Sequence, residues 1–157
     1  RLNPETAVTN AIAACEGLAT ETGVVISFAP AEVASPADAP AINGNRDRLS
    51  QILINLISNA IKYNDSADPW VRVTCEVQQG RWLVHVRDNG PGAGDVEHDQ
   101  LFTKFSRGWR QIAKGRSGTG LGLAISAEIA RRHGGQLALT ETSDSGSCFT
   151  LTLPLAQ

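Results

Sequence analysis

The sequence predicts an α+β fold in which helices cover one face of a mixed sheet. Three observations lead there. Two stretches, Val71 to Val86 and Leu137 to Leu153, alternate apolar and polar residues about short polar turns, as antiparallel hairpins do. A third, Arg48 to Tyr63, instead repeats its apolar residues at i, i+3, i+4, i+7 and i+8, as a helix with one buried face does. The order is also mixed, running helix, strands, helix, hairpin, polar segment, helix, hairpin, with no internal repeat or heptad. A chain of 157 residues suits one domain with a substantial core, expected to span residues 1–157.

Composition narrows the class. A hydrophobic share of 41% and a charged share of 19% are those of a soluble globular protein. The net charge of −2 gives no pull toward nucleic acid or an anionic membrane. No apolar run reaches the roughly 18 residues a spanning helix needs, and no signal-peptide pattern opens the chain. Because it starts at Arg1, the chain is expected to be a piece of something larger. Cys15, Cys75 and Cys148 are scattered in no metal-binding spacing and read as buried, reduced thiols of a cytoplasmic domain.

Taken in order, the first helix runs from about residue 4 to 20, with Val8, Ile12, Cys15 and Ala19 near helical spacing. Val24 to Phe28 is a short β-branched strand. Ala29 to Ala41, with Pro30, Pro36 and Pro40, is a loop, and Ile42 is expected to close a second short strand. Asn43-Gly44-Asn45 turns into and caps the central helix, which is expected to end near Asn64-Asp65. Val71, Val73, Cys75 and Val77 form one hairpin arm, Gln79-Gly80 the turn, and Trp82, Val84 and Val86 the return. Asp88 keeps the register of Val84 and Val86, so its carboxylate emerges on the buried face and needs partners. A short helix is expected from Glu97 to Phe102. The polar segment Ser106 to Ser117 follows; from Lys104 to Arg116 there are five basic residues and no acidic one, as in a lid or a solvated loop. The last helix is expected over Leu121 to His133, with Leu121, Ala124, Ile125 and Ile129 inward and Gly134-Gly135 ending it.

Several residues in this frame carry chemistry. On the central helix Asn55, Asn59 and Lys62 fall together, away from the apolar stripe. Asn is a poor mid-helix residue, and a merely solvated face would favour Glu, Lys and Arg, so the pair of carboxamides marks a site. Asp88-Asn-Gly-Pro-Gly92 breaks a strand with two glycines. Gly118-Thr-Gly-Leu-Gly122 opens a helix and offers N–H groups to an anion. It is neither a P-loop, which would end in Gly-Lys-Ser/Thr, nor a dinucleotide fingerprint, which needs a preceding strand and Gly at 123, where Leu stands.

In order and spacing, NLISNAIKY (55–63), DNGPG (88–92), FTKFSRG (102–108) and GTGLGLAI (118–125) resemble the four signature boxes of the catalytic, ATP-binding domain of bacterial sensor histidine kinases, and ARRHGGQLAL (130–139) extends the likeness. The resemblance covers nearly the whole chain. It implies a two-layer α/β sandwich of the Bergerat (GHKL) type, about five strands backed by three helices, with a flexible ATP lid over about residues 103–119. It implies ATP and Mg²⁺ as ligands, with Asn59 on the metal. Asn55 and Lys62 would act on metal-bound water and phosphate, and Arg107 would bring a lid charge to the γ-phosphate. Tyr63 would lie beside the nucleotide, and Asp88 would accept the adenine amino hydrogen. Gly90 and Gly92 would let the base approach, and Phe105, with Phe102, would anchor the lid. Gly118, Thr119, Gly120, Leu121 and Gly122 would shape its hinge and the phosphate contacts. His133 is expected to be structural: the family's acceptor histidine sits in a His-Glu-x-x-Thr-Pro type motif on a separate dimerising hairpin, and no such motif occurs in this chain.

The resemblance further implies transfer of the γ-phosphate to that separate domain, relay to a response regulator, and a homodimeric full-length protein anchored in the inner membrane. This domain would touch neither membrane nor nucleic acid. Related hydrolases carry Glu where Asn55 stands, and an amide cannot take a proton from water, so Asn55 favours transfer over hydrolysis. A degenerate nucleotide-binding module and a GHKL-type ATPase are the alternatives. Two departures from the family pattern stand out. Asn45 replaces the usual Asp before the central helix, and Ala93-Gly94 replaces an aliphatic-Pro pair.

Overall fold

The computed structural model describes residues 1–92 and 122–157. The expected short helix at Glu97–Phe102 and the basic lid segment lie outside the described residues. Helix α1 (Pro4–Thr22) starts where Asn3 accepts the Glu5 N–H at 2.9 Å and Pro4 fills the first turn. It stops at Gly23, whose φ of 76° is left-handed. Strand β1 (Val25–Ala29) follows, one residue later than the apolar run suggests. Val24 is buried but bonds back to Ala19, so it belongs to the helix exit. Pro36–Asp38 is a single 3-10 turn within the expected loop. The expected strand at Ile42 is only a bridge to Leu2, because Pro40 removes a donor on one side and a turn begins on the other.

Helix α2 (Arg46–Lys62) buries Leu49, Ile52, Leu53, Leu56, Ile57, Ala60 and Ile61, the whole predicted stripe. Its Asn45 cap accepts the Arg48 N–H at 3.1 Å. That bond sets the start two residues before Arg48, and Tyr63, not Asn64, is the C-cap. Strands β2 (Trp70–Gln78) and β3 (Arg81–Asp88) then form the predicted hairpin, with Val73 opposite Val86 and Cys75 opposite Val84. Gln79 and Gly80 have φ of 53° and 74°, the paired left-handed turn that matches strand twist. Val77, expected inward, is 42% exposed because it lies at the turn end of the hairpin, beyond the helix layer.

Helix α3 (Gly122–Arg132) buries Ser126, Ile129 and Ala130. Ile125, expected inward, is 40% exposed. Ile129 is buried as expected, but Gly122 and Ser126, and not Ile125, stand against Asn55 of α2. Strands β4 (Gln136–Ser143) and β5 (Gly146–Pro154) close the chain, pairing Leu137 with Leu151 and Leu139 with Phe149.

The sheet order is β1-β2-β3-β5-β4, with β1 parallel to β2 and the other pairs antiparallel. The described helices pack side by side, α1 on α2 and α2 on α3, and fill one face of the sheet with a single core. This is the expected two-layer sandwich of five strands and three helices. Placing β5 between β3 and β4 brings the final hairpin against the end of β3, where Asp88 emerges. The opposite sheet face carries polar pairs such as His85–Glu76 and Arg87–Glu141.

Candidate functional site

Asp88 is 2% exposed at the end of β3. Its Oδ1 accepts the Gly90 N–H at 2.9 Å, and its Oδ2 accepts the Ser147 hydroxyl at 3.1 Å. These two bonds supply the partners its burial demands. Ser147, itself 2% exposed, is brought in by the β3–β5 register, which sets it directly opposite Asp88. A carboxylate has about four lone-pair positions, so Asp88 keeps acceptor capacity for an outside N–H donor. A buried acceptor of this kind selects a ligand that brings an N–H or O–H donor to it.

The turn after Asp88 is pressed against the end of α2. A β-carbon at Gly90 would stand 3.1 Å from Asp88 Oδ1, 3.2 Å from Asn64 Cα and 3.3 Å from the Tyr63 carbonyl oxygen. Any side chain there would fill the approach to the carboxylate. Gly92 has a different reason for its composition: its φ is 78°, and a β-carbon would collide with the Ser143 carbonyl of the last hairpin. Tyr63 is 5% exposed, so it meets a ligand only by an edge.

Asn89 holds this junction together. Its Oδ1 accepts the Trp70 N–H and Asn64 Nδ2–H, each at 2.8 Å. Its Nδ2 donates to the Asp68 carbonyl at 2.9 Å and to Ser66 Oγ at 3.3 Å. Asn64 also donates to the Trp70 carbonyl at 3.1 Å. The sequence places Asn64 at the expected helix end and Asn89 inside the DNGPG box but assigns neither a role of its own. The contacts that give them a role come from segments apart in the chain.

Along α2, Asn55 and Asn59 are half-buried and Lys62 is exposed, all on the face away from the apolar stripe. At about 1.5 Å per residue, Asn55 lies about 12 Å along the axis from Tyr63, the residue that abuts Gly90. The site is therefore linear, with a buried acceptor at one end and carboxamides and an ammonium along the helix. Asn55 Nδ2 donates to Ser126 Oγ at 3.2 Å, and a β-carbon at Gly122 would stand 2.5 Å from Asn55 Oδ1. The start of α3 thus packs on the carboxamide face. Farther along, His133 Nδ1–H donates to the Ile129 carbonyl at 2.8 Å and Nε2 accepts the Asn45 N–H at 3.1 Å. Nδ1 fixes the ring on its own helix and Nε2 joins α3 to the cap of α2, which is consistent with the structural role expected of this residue.

The donor set fits a hard cation that keeps its waters. Asn59 offers a neutral amide oxygen, half-exposed, and no thiol or imidazole stands among the ladder residues to favour a softer metal. Arg107, Phe102, Phe105, Gly118, Thr119, Gly120 and Leu121 lie outside the described residues. Ser126 and Ser147 were missed by the sequence reading, since one Ser in a helix and one after a turn carry no spacing signal.

Residues 44–157 match the family model described as histidine kinase-, DNA gyrase B- and HSP90-like ATPase. The sensor protein TorS of Escherichia coli (strain K12) is 39% identical over 115 residues, which are 73% of this chain and 12% of TorS. The sensor protein CutS of Streptomyces coelicolor is 34% identical over 124 residues, 79% of this chain and 30% of CutS. The chain therefore spans less than a third of either relative. Full-length ShkA, solved in complex with AMPPNP, superposes with a TM-score of 0.82 at 27% identity, covering 99% of this chain and 31% of ShkA. The histidine kinase ThkA, solved with the response regulator protein TrrA, shares the fold at a TM-score of 0.76 and 22% identity, covering 99% of this chain and 41% of that one.

Proposed function

The chain belongs to the histidine kinase-, DNA gyrase B- and HSP90-like ATPase family, and from that premise we propose that it is the ATP-binding catalytic domain of a two-component sensor histidine kinase, formed by residues 1–157 with a lid over about 103–119. The observation that carries the reading is the buried Asp88 carboxylate, set beside the end of a helix whose exposed ladder is Asn55, Asn59 and Lys62. Asp88 accepts the adenine amino hydrogen, and Gly90 leaves room for the base. Tyr63 borders it, and Gly92 shapes the turn. Asn59 would hold Mg²⁺, which when bound would neutralise phosphate charge. Asn55 and Lys62 would orient phosphate oxygens and water on the metal. Gly118, Thr119, Gly120, Leu121 and Gly122 would supply N–H groups to the phosphates, and Arg107 and Phe105 would act from the lid.

Phosphate transfer through such a site rests on positioning and charge neutralisation. With an amide at Asn55 and no carboxylate there, the ladder holds water without taking its proton, which supports transfer over hydrolysis. The phosphate goes to a histidine on the protein's own dimerisation domain, and from there to a response regulator; the sensor-protein relatives and the ThkA–TrrA neighbour support that partnership. The full-length protein is a homodimer anchored in the inner membrane, with this domain on the cytoplasmic side. No described helix is long and apolar enough to cross a membrane.

The test is calorimetric titration with a non-hydrolysable ATP analogue, with and without Mg²⁺, followed by transfer from labelled ATP to a supplied histidine hairpin domain. Binding strengthened by Mg²⁺ and followed by transfer is expected. A folded chain that binds no analogue would overturn the reading.

A further inference from the structure

Ser126 is 1% exposed and is the single polar side chain that α3 buries among its described residues. A hydroxyl buried without a partner is costly, and Ser126 Oγ lies 3.2 Å from Asn55 Nδ2. The pairing acts on Asn55 as much as on Ser126. With Nδ2 held, the other arm of the carboxamide turns to the first residue of α3, where a β-carbon on Gly122 would sit 2.5 Å from Oδ1. An oxygen, and not an N–H, suits a position against that Cα–H. Asn55 is thereby gripped at two points of α3 one turn apart, and Asn59 is the next turn along α2.

We propose that Ser126 is a positioning residue for the metal and phosphate end of the site. By anchoring Asn55 Nδ2 it presents the carboxamide oxygen, an acceptor for metal-bound water, toward the start of α3. The inference rests on the nucleotide-site reading above and adds a residue to it that touches neither base nor phosphate. A loose carboxamide loses orientation at the metal end and leaves the base pocket at Asp88 as it was, so the two ends of the site respond differently.

The test measures three quantities on wild type, Ser126→Ala, Ser126→Thr, Asn55→Ala and the double variant Asn55→Ala/Ser126→Ala. These are the thermal midpoint, the affinity for adenosine without metal, and the strengthening of AMPPNP binding by Mg²⁺. Ser126→Ala is expected to stay folded, to bind adenosine within about twofold of wild type, and to lose about five- to tenfold in the Mg²⁺-dependent strengthening, the factor for about one net hydrogen bond. Ser126→Thr, which keeps the hydroxyl, restores it. The double variant loses no more than Asn55→Ala alone, because the effect passes through Asn55. Adenosine and Mg-AMPPNP affinities falling together, an unchanged Mg²⁺ effect in Ser126→Ala, or an unfolded Ser126→Ala would each overturn the positioning role with the site reading left standing. Wild type that binds neither ligand would overturn both.

Discussion

Asp88→Asn separates the binding role of this residue from its role in the fold. In the native chain Oδ1 accepts the Gly90 N–H at 2.9 Å and Oδ2 accepts the Ser147 hydroxyl at 3.1 Å. The variant keeps an oxygen for Gly90, and its new amide donates to Ser147 Oγ, whose hydroxyl changes from donor to acceptor. No buried group is stranded, so the cost in stability stays within about 1 kcal/mol, one ordinary net hydrogen bond. A purine amino group has no such freedom. It donates to a carboxylate in the wild type and meets an N–H₂ or an engaged oxygen in the variant. Losing a hydrogen bond to a charged group costs about 1.5–3 kcal/mol, roughly 10- to 150-fold in Kd. Calorimetry with adenosine and with AMPPNP, beside urea unfolding, reads both effects. Both ligands are expected to weaken by a similar factor, since they share the base, while the urea midpoint moves little. Wild-type adenosine affinity in Asp88→Asn would refute the adenine assignment, and an unfolded variant would refute the reversal at Ser147.

Four further expectations follow from the same geometry. Asn59→Ala should abolish the Mg²⁺-dependent part of AMPPNP binding and leave adenosine binding unchanged; calorimetry that still shows the metal effect would move the ligand elsewhere. Asn89→Ala strips the acceptor from the Trp70 N–H and from Asn64 Nδ2, so the folding free energy should drop by about 2–4 kcal/mol, read as a lower urea midpoint at unchanged slope. His133→Ala should cost only about 1 kcal/mol for its lost bonds and leave phosphate transfer to a supplied hairpin domain in place; loss of transfer with the fold intact would contradict its structural role. The Cys148 side chain first, and Glu76 after burial's opposing effect, hold the His85 imidazole above its ordinary range. A raised folded-state value means that this contribution is fully present below about pH 6.5 and lost as pH rises through the folded value. The thermal margin of wild type over His85→Asn should therefore shrink as pH is raised from 5 to 8, and a margin that grows would reverse the assignment.

The parts of the fold that follow from local pattern were legible in the sequence, and those that depend on which elements meet were not. Strict period-2 register carries Asp88 to the buried face, and the α2 stripe names all of that helix's buried residues. The turn at Gln79-Gly80 was readable from Gly80 and from the two-residue break between the alternating runs, although Gln79 is not a residue type that favours its left-handed φ of 53°. Ser147 stayed hidden because its partner is 59 residues away and reaches it only once β5 pairs with β3. Ser126 is 71 residues from Asn55. Hydrophobic spacing also misjudged the phase of α3: it put Ile125 inward, whereas the α2 carboxamide face needs small residues against it, so Gly122 and Ser126 take that side and Ile125 turns outward.

That difference in phase bears on how the site keeps its geometry. The seven apolar residues that α2 buries supply the larger part of its docking energy, since full burial of such side chains is worth about 1.5–3 kcal/mol each for the larger ones. Apolar burial is not directional, however, so it fixes the orientation of a helix less sharply than hydrogen bonds to named partners do. The contacts that specify position are polar and sit at separated points: His133 on Asn45 at the start of the helix, Ser126 on Asn55 midway, and Asn89 on Asn64 just past the end. Each is worth only about 1 kcal/mol net, so none decides whether the chain folds. A linear site about 12 Å long is nonetheless sensitive to where the helix stands, because a misplacement of about 1 Å can cost on the order of a hundredfold in rate. The physical division is therefore between a stripe that makes α2 dock and clasps that set where its carboxamides stand relative to Asp88. Weakening the midway clasp at Ser126 should therefore show in ligand affinity before it shows in the melting temperature, whereas Asn89, which also holds the Trp70 N–H, carries stability as well.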